Sequence, residues 1–155
     1  NMPPWIRHLA NLIVGKDIKP SRKIFITRKD AKNRNIKNQN ELLMALKGWE
    51  TVTLENLSIK EQVKTFAEAT HVVSPHGAGL TNLLWCRPKT KVYELTHKAF
   101  IGKIVYPSLS HHLELKHNVI LCDTEKIAGQ KPRNKKQKDM VDLKINVKDF
   151  MSFID

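Results

Sequence analysis

The sequence predicts an α/β domain built on a parallel sheet, and three observations carry that reading. Short apolar runs rich in β-branched and aromatic residues recur along the chain, helical stripes separate them, and most connections between the two are brief. Strands that alternate with helices pair in parallel through right-handed crossovers, which gives a Rossmann-like three-layer arrangement.

Residues 3–14 place Trp5, Ile6, Leu9, Leu12 and Ile13 at helical spacing, with prolines where a first turn tolerates them. Residues 15–22 form a linker, so the chain divides into an N-terminal helix and linker, 1–22, and a main domain, 23–155. Residues 23–27 (Lys-Ile-Phe-Ile-Thr) are the first buried strand. Leu42, Leu43, Leu46 and Trp49 make a helical stripe with Asn40 as N-cap and Gly48 near its end, and residues 51–54 follow as a second strand.

Ser58 and Glu61 have the spacing of a capping box, and Ile59, Val63, Phe66, Ala67 and Thr70 continue one face of the helix it opens. A third strand, residues 71–74, runs into the glycine-containing turn 75–79, and residues 78–86 make a short helix. Residues 91–95 are a fourth strand, 101–113 a helix interrupted by Pro107, and 118–122 a fifth strand. After a basic loop, 126–138, residues 140–145 and 147–154 close the domain as a last strand and helix.

A chain of 155 residues, 41% of them hydrophobic, suffices for one core. Its net charge of +12 calls for an anionic partner: nucleic acid, a phosphorylated metabolite or an acidic membrane surface. With only 6% aromatic residues and no base-recognition motif, nucleic acid is not the expected one. The run Lys131 to Lys138 is a solvated basic loop first, and peripheral contact with a membrane or polyanion comes second. Cys86 and Cys122 form no CxxC pair, which argues for a reducing compartment. His111, His112, His117 and Cys122 match no zinc spacing, so no metal site is expected. No run of about 18 apolar residues is present, and the chain reads as soluble. Met2 follows an Asn, so residue 1 is an arbitrary cut and a larger parent is expected.

In open α/β sheets, ligands bind beyond the carboxyl ends of the strands. After the third strand, His76-Gly77-Ala78-Gly79 offers backbone N–H groups at a helix N-terminus, where anions are favoured, and Thr81 and Asn82 add polar donors. The plain alternative is that Gly77 and Gly79 only permit a tight turn, with His76 capping it. After the first strand, Arg28 and Arg34 are suited to pair bidentately with phosphate, in a connection longer than a mere connector needs. Glu94, near the end of the fourth strand, could accept from ribose hydroxyls or form an ion pair with a neighbouring cation.

The ordered set Ile26-Thr27-Arg28, Arg34, Asn40-Glu41, the helix of residues 58–66, the run from Val72 to Asn82 and Val92-Tyr93-Glu94-Leu95 resembles the core of glycosyltransferase family 61. That family includes plant xylan-decorating enzymes, animal O-linked N-acetylglucosamine transferases and bacterial capsular-polysaccharide proteins. The resemblance implies the C-terminal, nucleotide-sugar-binding half of a GT-B enzyme, which transfers sugar with inversion to a hydroxyl acceptor. It implies a UDP-type nucleotide-sugar as donor substrate and no required cofactor or metal.

Carried onto this chain, Arg28, His76, Gly77, Ala78 and Gly79 would hold the diphosphate, Thr81 and Asn82 would support it, and Glu94 would meet the ribose. Arg34 and Glu41 would shape the loop, and His76 either acts as the catalytic base or only orients the diphosphate. The length leaves no room for the N-terminal GT-B half, so that half is an expected partner, residues 3–14 the helix between the halves, and the chain incomplete for catalysis alone. The soluble reading implies a cytoplasmic or membrane-associated protein, or one of the Golgi or ER lumen if eukaryotic. The alternative is a nucleotide- or polyanion-binding module without catalysis.

Overall fold

The order in which the strands pair decides where a ligand site forms. In the computed structural model, which describes residues 5–15, 17–28, 31–127 and 141–154, five strands form one sheet. They are β1 (Arg22–Ile26), β2 (Glu50–Val52), β3 (Ala69–Pro75), β4 (Lys91–Thr96) and β5 (Lys116–Leu121). The spatial order is β2-β1-β3-β4-β5 and every pairing is parallel. From β1 the chain passes to β2 on one side and then to β3 on the other, so the winding reverses between β1 and β3. At such a switch point the connections leave in opposite directions and open a crevice beyond the strand ends.

Alternation along each strand divides the core into two layers. Ile24, Ile26, Val72 and Val92 face one layer, which α3 (Ile59–Ala67) and α4 (Val105–His112) cover through Phe66, Tyr106 and Leu109. Phe25, Val73, Tyr93 and Leu95 face the other, closed by α2 (Gln39–Ala45) and α5 (Val147–Met151) through Leu42 and Phe150. Phe25 and Phe66 are wholly buried, and full burial of such a side chain is worth about 1.5–3 kcal/mol. The first helix, α1 (Trp5–Val14), packs on α3. Arg87 fastens it by donating to the Gly15 carbonyl at 2.8 Å and to the Asn11 side chain.

Several boundaries differ from the sequence reading, each for a local reason. Asn40 is not the N-cap of α2; Asn38 holds that position, but its amide is spent on the backbone of Ile145, accepting from its N–H at 3.0 Å and donating to its carbonyl at 2.8 Å. The second strand ends at Val52, because residues Leu54–Asn56 wind into a 3-10 turn. Thr70 belongs to β3 rather than to the α3 face. The segment Ala78–Trp85 is 3-10 rather than α-helical.

Pro107 sits in the first turn of α4, where its missing N–H costs little, so the helix starts at Val105 instead of being interrupted. The fifth strand starts two residues earlier than expected and leaves Cys122 outside it. The last strand, β7 (Val141–Lys144), pairs antiparallel with β6 (Asp123–Lys126) in a separate two-stranded sheet. All four residues of β6 are exposed, so no apolar pattern marked it. Most of the predicted basic loop, including Lys131 to Lys138, lies outside the described residues, and no described helix is long and apolar enough to cross a membrane.

Candidate functional site

The loops that leave β1 and β3 lie on either side of the switch point. The β3 loop is set by α3, whose capping box is complete: the Ser58 hydroxyl accepts from the Glu61 N–H while the Glu61 carboxylate accepts from the Ser58 N–H at 2.8 Å. From α3, Gln62 donates to the carbonyls of Leu54 and Leu57, both at 3.1 Å, and accepts from Asn82 at 3.1 Å. Asn82 also donates to the Gly79 carbonyl at 3.3 Å, so its amide is engaged within the loop. Thr81 and Ala78 are exposed on the same turn. The first N–H groups of this turn have no intrahelical partner, as at any helix start.

The two glycines do different work. A Cβ on Gly77 would lie 1.9 Å from Nη1 of Arg28, so the guanidinium occupies the space that a side chain would need. A Cβ on Gly79 would instead meet Cδ1 of the buried Leu54 at 2.8 Å. Gly77 therefore admits Arg28 to the loop, and Gly79 admits the core.

Arg28 and Arg34 are brought together. Burial, the largest cause, lowers the pKa of each guanidinium, and the nearness of Arg28 lowers that of Arg34 further. Glu55 and Tyr106 act the other way on Arg28. Among the described residues, however, no carboxylate comes within ion-pairing distance of either arginine, and both Nε atoms are buried without a hydrogen-bond partner. The loop carrying Arg34 is tied to β7: the Arg34 N–H donates to the Val141 carbonyl at 2.7 Å and the Asn35 N–H to Asp142 at 3.0 Å. Arg34 itself is left-handed at φ 59°, which re-aims its side chain. Its guanidinium carbon lies 5.1 Å from the Phe100 ring centre, and Nζ of Lys103 is 4.0 Å from the same ring. Glu41 is exposed and holds Asn38 at 2.8 Å.

Glu94 is only 3% exposed, and each of its oxygens has an imidazole partner. Oε1 meets Nδ1 of His76, and Oε2 lies 2.8 Å from Nε2 of His117. Burial pushes its pKa up, but the hydrogen bonds and charges of His117 and His76 outweigh that and hold the carboxyl below its ordinary range. The ring of His76 rests against Phe100 at 4.5 Å and Tyr106 at 5.4 Å between centroids.

Arg28 thus meets the glycine turn at Gly77, Arg34 and His76 both lie against Phe100, and the expected ribose-binding Glu94 is buried between two histidines. Phe100, Lys103, Tyr106 and His117 were not predicted there. His117 lies between Glu94 and Ser110, and among the described residues no group of three or more His, Cys, Asp or Glu is placed to hold a metal ion. Both cysteines are buried thiols, with burial raising Cys122 to about 12.

The sheet reverses its winding at β1, and at the reversal two guanidiniums with no carboxylate partner among the described residues stand beside a glycine turn in this α/β domain. The family model described as "Glycosyltransferase 61" matches residues 2–93, more than half of the 155-residue chain; the chain belongs to glycosyltransferase family 61. It is 28% identical over 95 residues to Beta-1,2-xylosyltransferase RCN11 of Oryza sativa subsp. japonica, a match covering 55% of this chain and 18% of that protein.

Proposed function

We propose that this chain is the nucleotide-sugar-binding part of a glycosyltransferase that moves a sugar to a hydroxyl acceptor with inversion at the anomeric carbon. Family membership supports the reaction class. The observation that carries the donor site is Arg28, half-buried over Gly77 with no carboxylate partner among the described residues. A buried charge left unpaired is costly, and a diphosphate bridging Arg28, Arg34 and the N–H groups after Gly77 would complete it.

In this reading the acceptor oxygen forms a bond to the anomeric carbon and gives its proton to His76. The bond to the diphosphate oxygen breaks, and the arginines take up the charge that develops there. Acceptor contacts would come from the rest of a GT-B parent, since the matched segment is a small part of the rice protein. A xylose donor follows only from that protein's name.

The test is thermal. UDP or another nucleoside diphosphate at millimolar concentration should raise the melting temperature by binding the native state, and Arg28→Ala should abolish the shift. No stabilisation by any nucleoside diphosphate or nucleotide-sugar would overturn the reading. The net charge of +12 favours a second one, a polyanion-binding module without catalysis. Steeply salt-dependent binding of polyphosphate or nucleic acid, with no response to nucleoside diphosphates, would select it.

A further inference from the structure

Behind His76 runs a buried chain of polar groups that diphosphate binding does not use. It starts at Ser110 in α4, wholly buried, whose hydroxyl is 2.7 Å from Nδ1 of His117 in β5. It continues from Nε2 of His117 to Glu94 in β4 at 2.8 Å, and ends at Nδ1 of His76, just past β3. The sheet register sets this up. His117 stands opposite Val92 and Glu94 opposite Val119, so His117 and Glu94 are diagonal neighbours on one face. Tyr106 and Ser110 lie one helical turn apart on α4, so the same helix edge supports the His76 ring through Tyr106 and the His117 ring through Ser110.

The donor and acceptor capacities of these groups leave one consistent arrangement. An ionised carboxylate only accepts, so both imidazoles must donate to Glu94. His117 then carries its proton on Nε2, and in the neutral ring Nδ1 is left to accept from the Ser110 hydroxyl. His76 carries its proton on Nδ1, and in the neutral ring Nε2 keeps a lone pair. Among the described residues Nε2 of His76 has no hydrogen-bond partner, and the side chain retains 11% exposure.

We infer that Glu94, His117 and Ser110 are positioning residues: they fix the tautomer and orientation of His76, so that Nε2 is the nitrogen presented for proton uptake. When Nε2 takes the proton of an acceptor hydroxyl, Glu94 faces the resulting imidazolium without changing its own protonation, and the oxygen–carbon bond forms as the bond to the diphosphate breaks. The inference rests on the glycosyl-transfer reading above, deepens it by assigning Glu94 to the histidines rather than to the donor ribose, and can fail independently of it.

The test is the protonation state of each ring nitrogen in the uniformly 15N-labelled chain, read from long-range nitrogen–proton correlations at neutral pH with no ligand present. His76→Asn and His117→Asn spectra assign the two rings. The expected result is a pyrrole-type Nδ1 and pyridine-type Nε2 for His76, and the reverse for His117. In Glu94→Gln, the amide offers one acceptor and one donor where the carboxylate offered two acceptors, so one of the rings should move its proton to the other nitrogen. Protonation of His76 on Nε2 in the wild-type chain, or both rings unchanged in a folded Glu94→Gln, would overturn the inference. The wild-type spectrum decides the matter even where the variant does not fold. Nucleoside diphosphate binding is measured separately, so a failed donor site and a failed tautomer assignment are told apart.

Discussion

Strand β1 carries an arginine near each end, and the two are treated in opposite ways. Arg22, at the amino end, meets Glu50 at 2.6 Å and Glu68 at 3.1 Å, and the Glu50 hydrogen bond leads the causes that raise its pKa. Arg28, just beyond the carboxyl end, sits over Gly77, where burial lowers its pKa and no described carboxylate pairs with it. The same residue type on the same strand is neutralised by the protein at one end and left for something else at the other. The difference follows from the sheet, because strand carboxyl ends at a winding reversal face a crevice. A half-buried cation with no described carboxylate partner, beside a glycine turn, is what supports the proposed diphosphate site.

That contrast breaks most visibly if Arg28 is removed. Charge-assisted hydrogen bonds to a phosphate are worth about 1.5–3 kcal/mol each, so Arg28→Ala should weaken nucleoside diphosphate binding roughly ten- to a hundredfold by calorimetry. Its melting temperature without ligand should not fall, because an unpaired, partly buried charge has been deleted. A large loss of stability would mean that Arg28 is structural after all.

Gly77→Ala sharpens the same point with one methyl group. The backbone there is extended (φ 167°, ψ 178°) and tolerates any residue, so the variant should fold normally. Its Cβ would nonetheless displace the guanidinium of Arg28, and affinity should fall about tenfold, roughly one charge-assisted hydrogen bond. Unchanged binding would show that the contact over Gly77 is incidental.

Acid should expose the support beneath the crevice. The Glu94 carboxyl is held below its ordinary value of 4.5 in the folded chain. Its contribution to stability is therefore complete above that value and lost as pH falls through the lowered folded-state value. Urea unfolding across this window should show wild-type stability declining more steeply than that of Glu94→Gln, and parallel profiles would contradict the pairing.

The smallest effect is expected at the opposite end of β1. Arg22→Ala removes partly exposed ion pairs and should cost only about 0.5–1 kcal/mol in denaturant unfolding, with nucleoside diphosphate affinity unchanged.

Much of the sheet was legible because β1, β3 and β4 are buried, and Ile24, Phe25, Val72, Val73, Val92 and Tyr93 leave little choice but strand. The capping box of α3 was legible because its chemistry is local, with Ser58 and Glu61 three residues apart. The meeting of Arg28 with Gly77, 49 positions along the chain, followed from placing both at strand carboxyl ends. What escaped the reading depends on partners that only the fold supplies. The Glu94–His117 contact needs β5 beside β4, Asn38 is diverted from capping by Ile145, and β6 has no buried face to leave a pattern. Phe100 meets Arg34, and Lys103 the Phe100 ring, through contacts that span the fold rather than a local pattern.

The most direct measurement is a paired calorimetric titration of UDP into Arg22→Ala and Arg28→Ala chains beside the wild type. The expected result is saturable binding that survives in Arg22→Ala and is lost or weakened at least tenfold in Arg28→Ala, the equivalent of about 1.4 kcal/mol or more. Equal affinity in all three chains, or no binding in any of them, would contradict the claim that the carboxyl end of β1 receives a diphosphate.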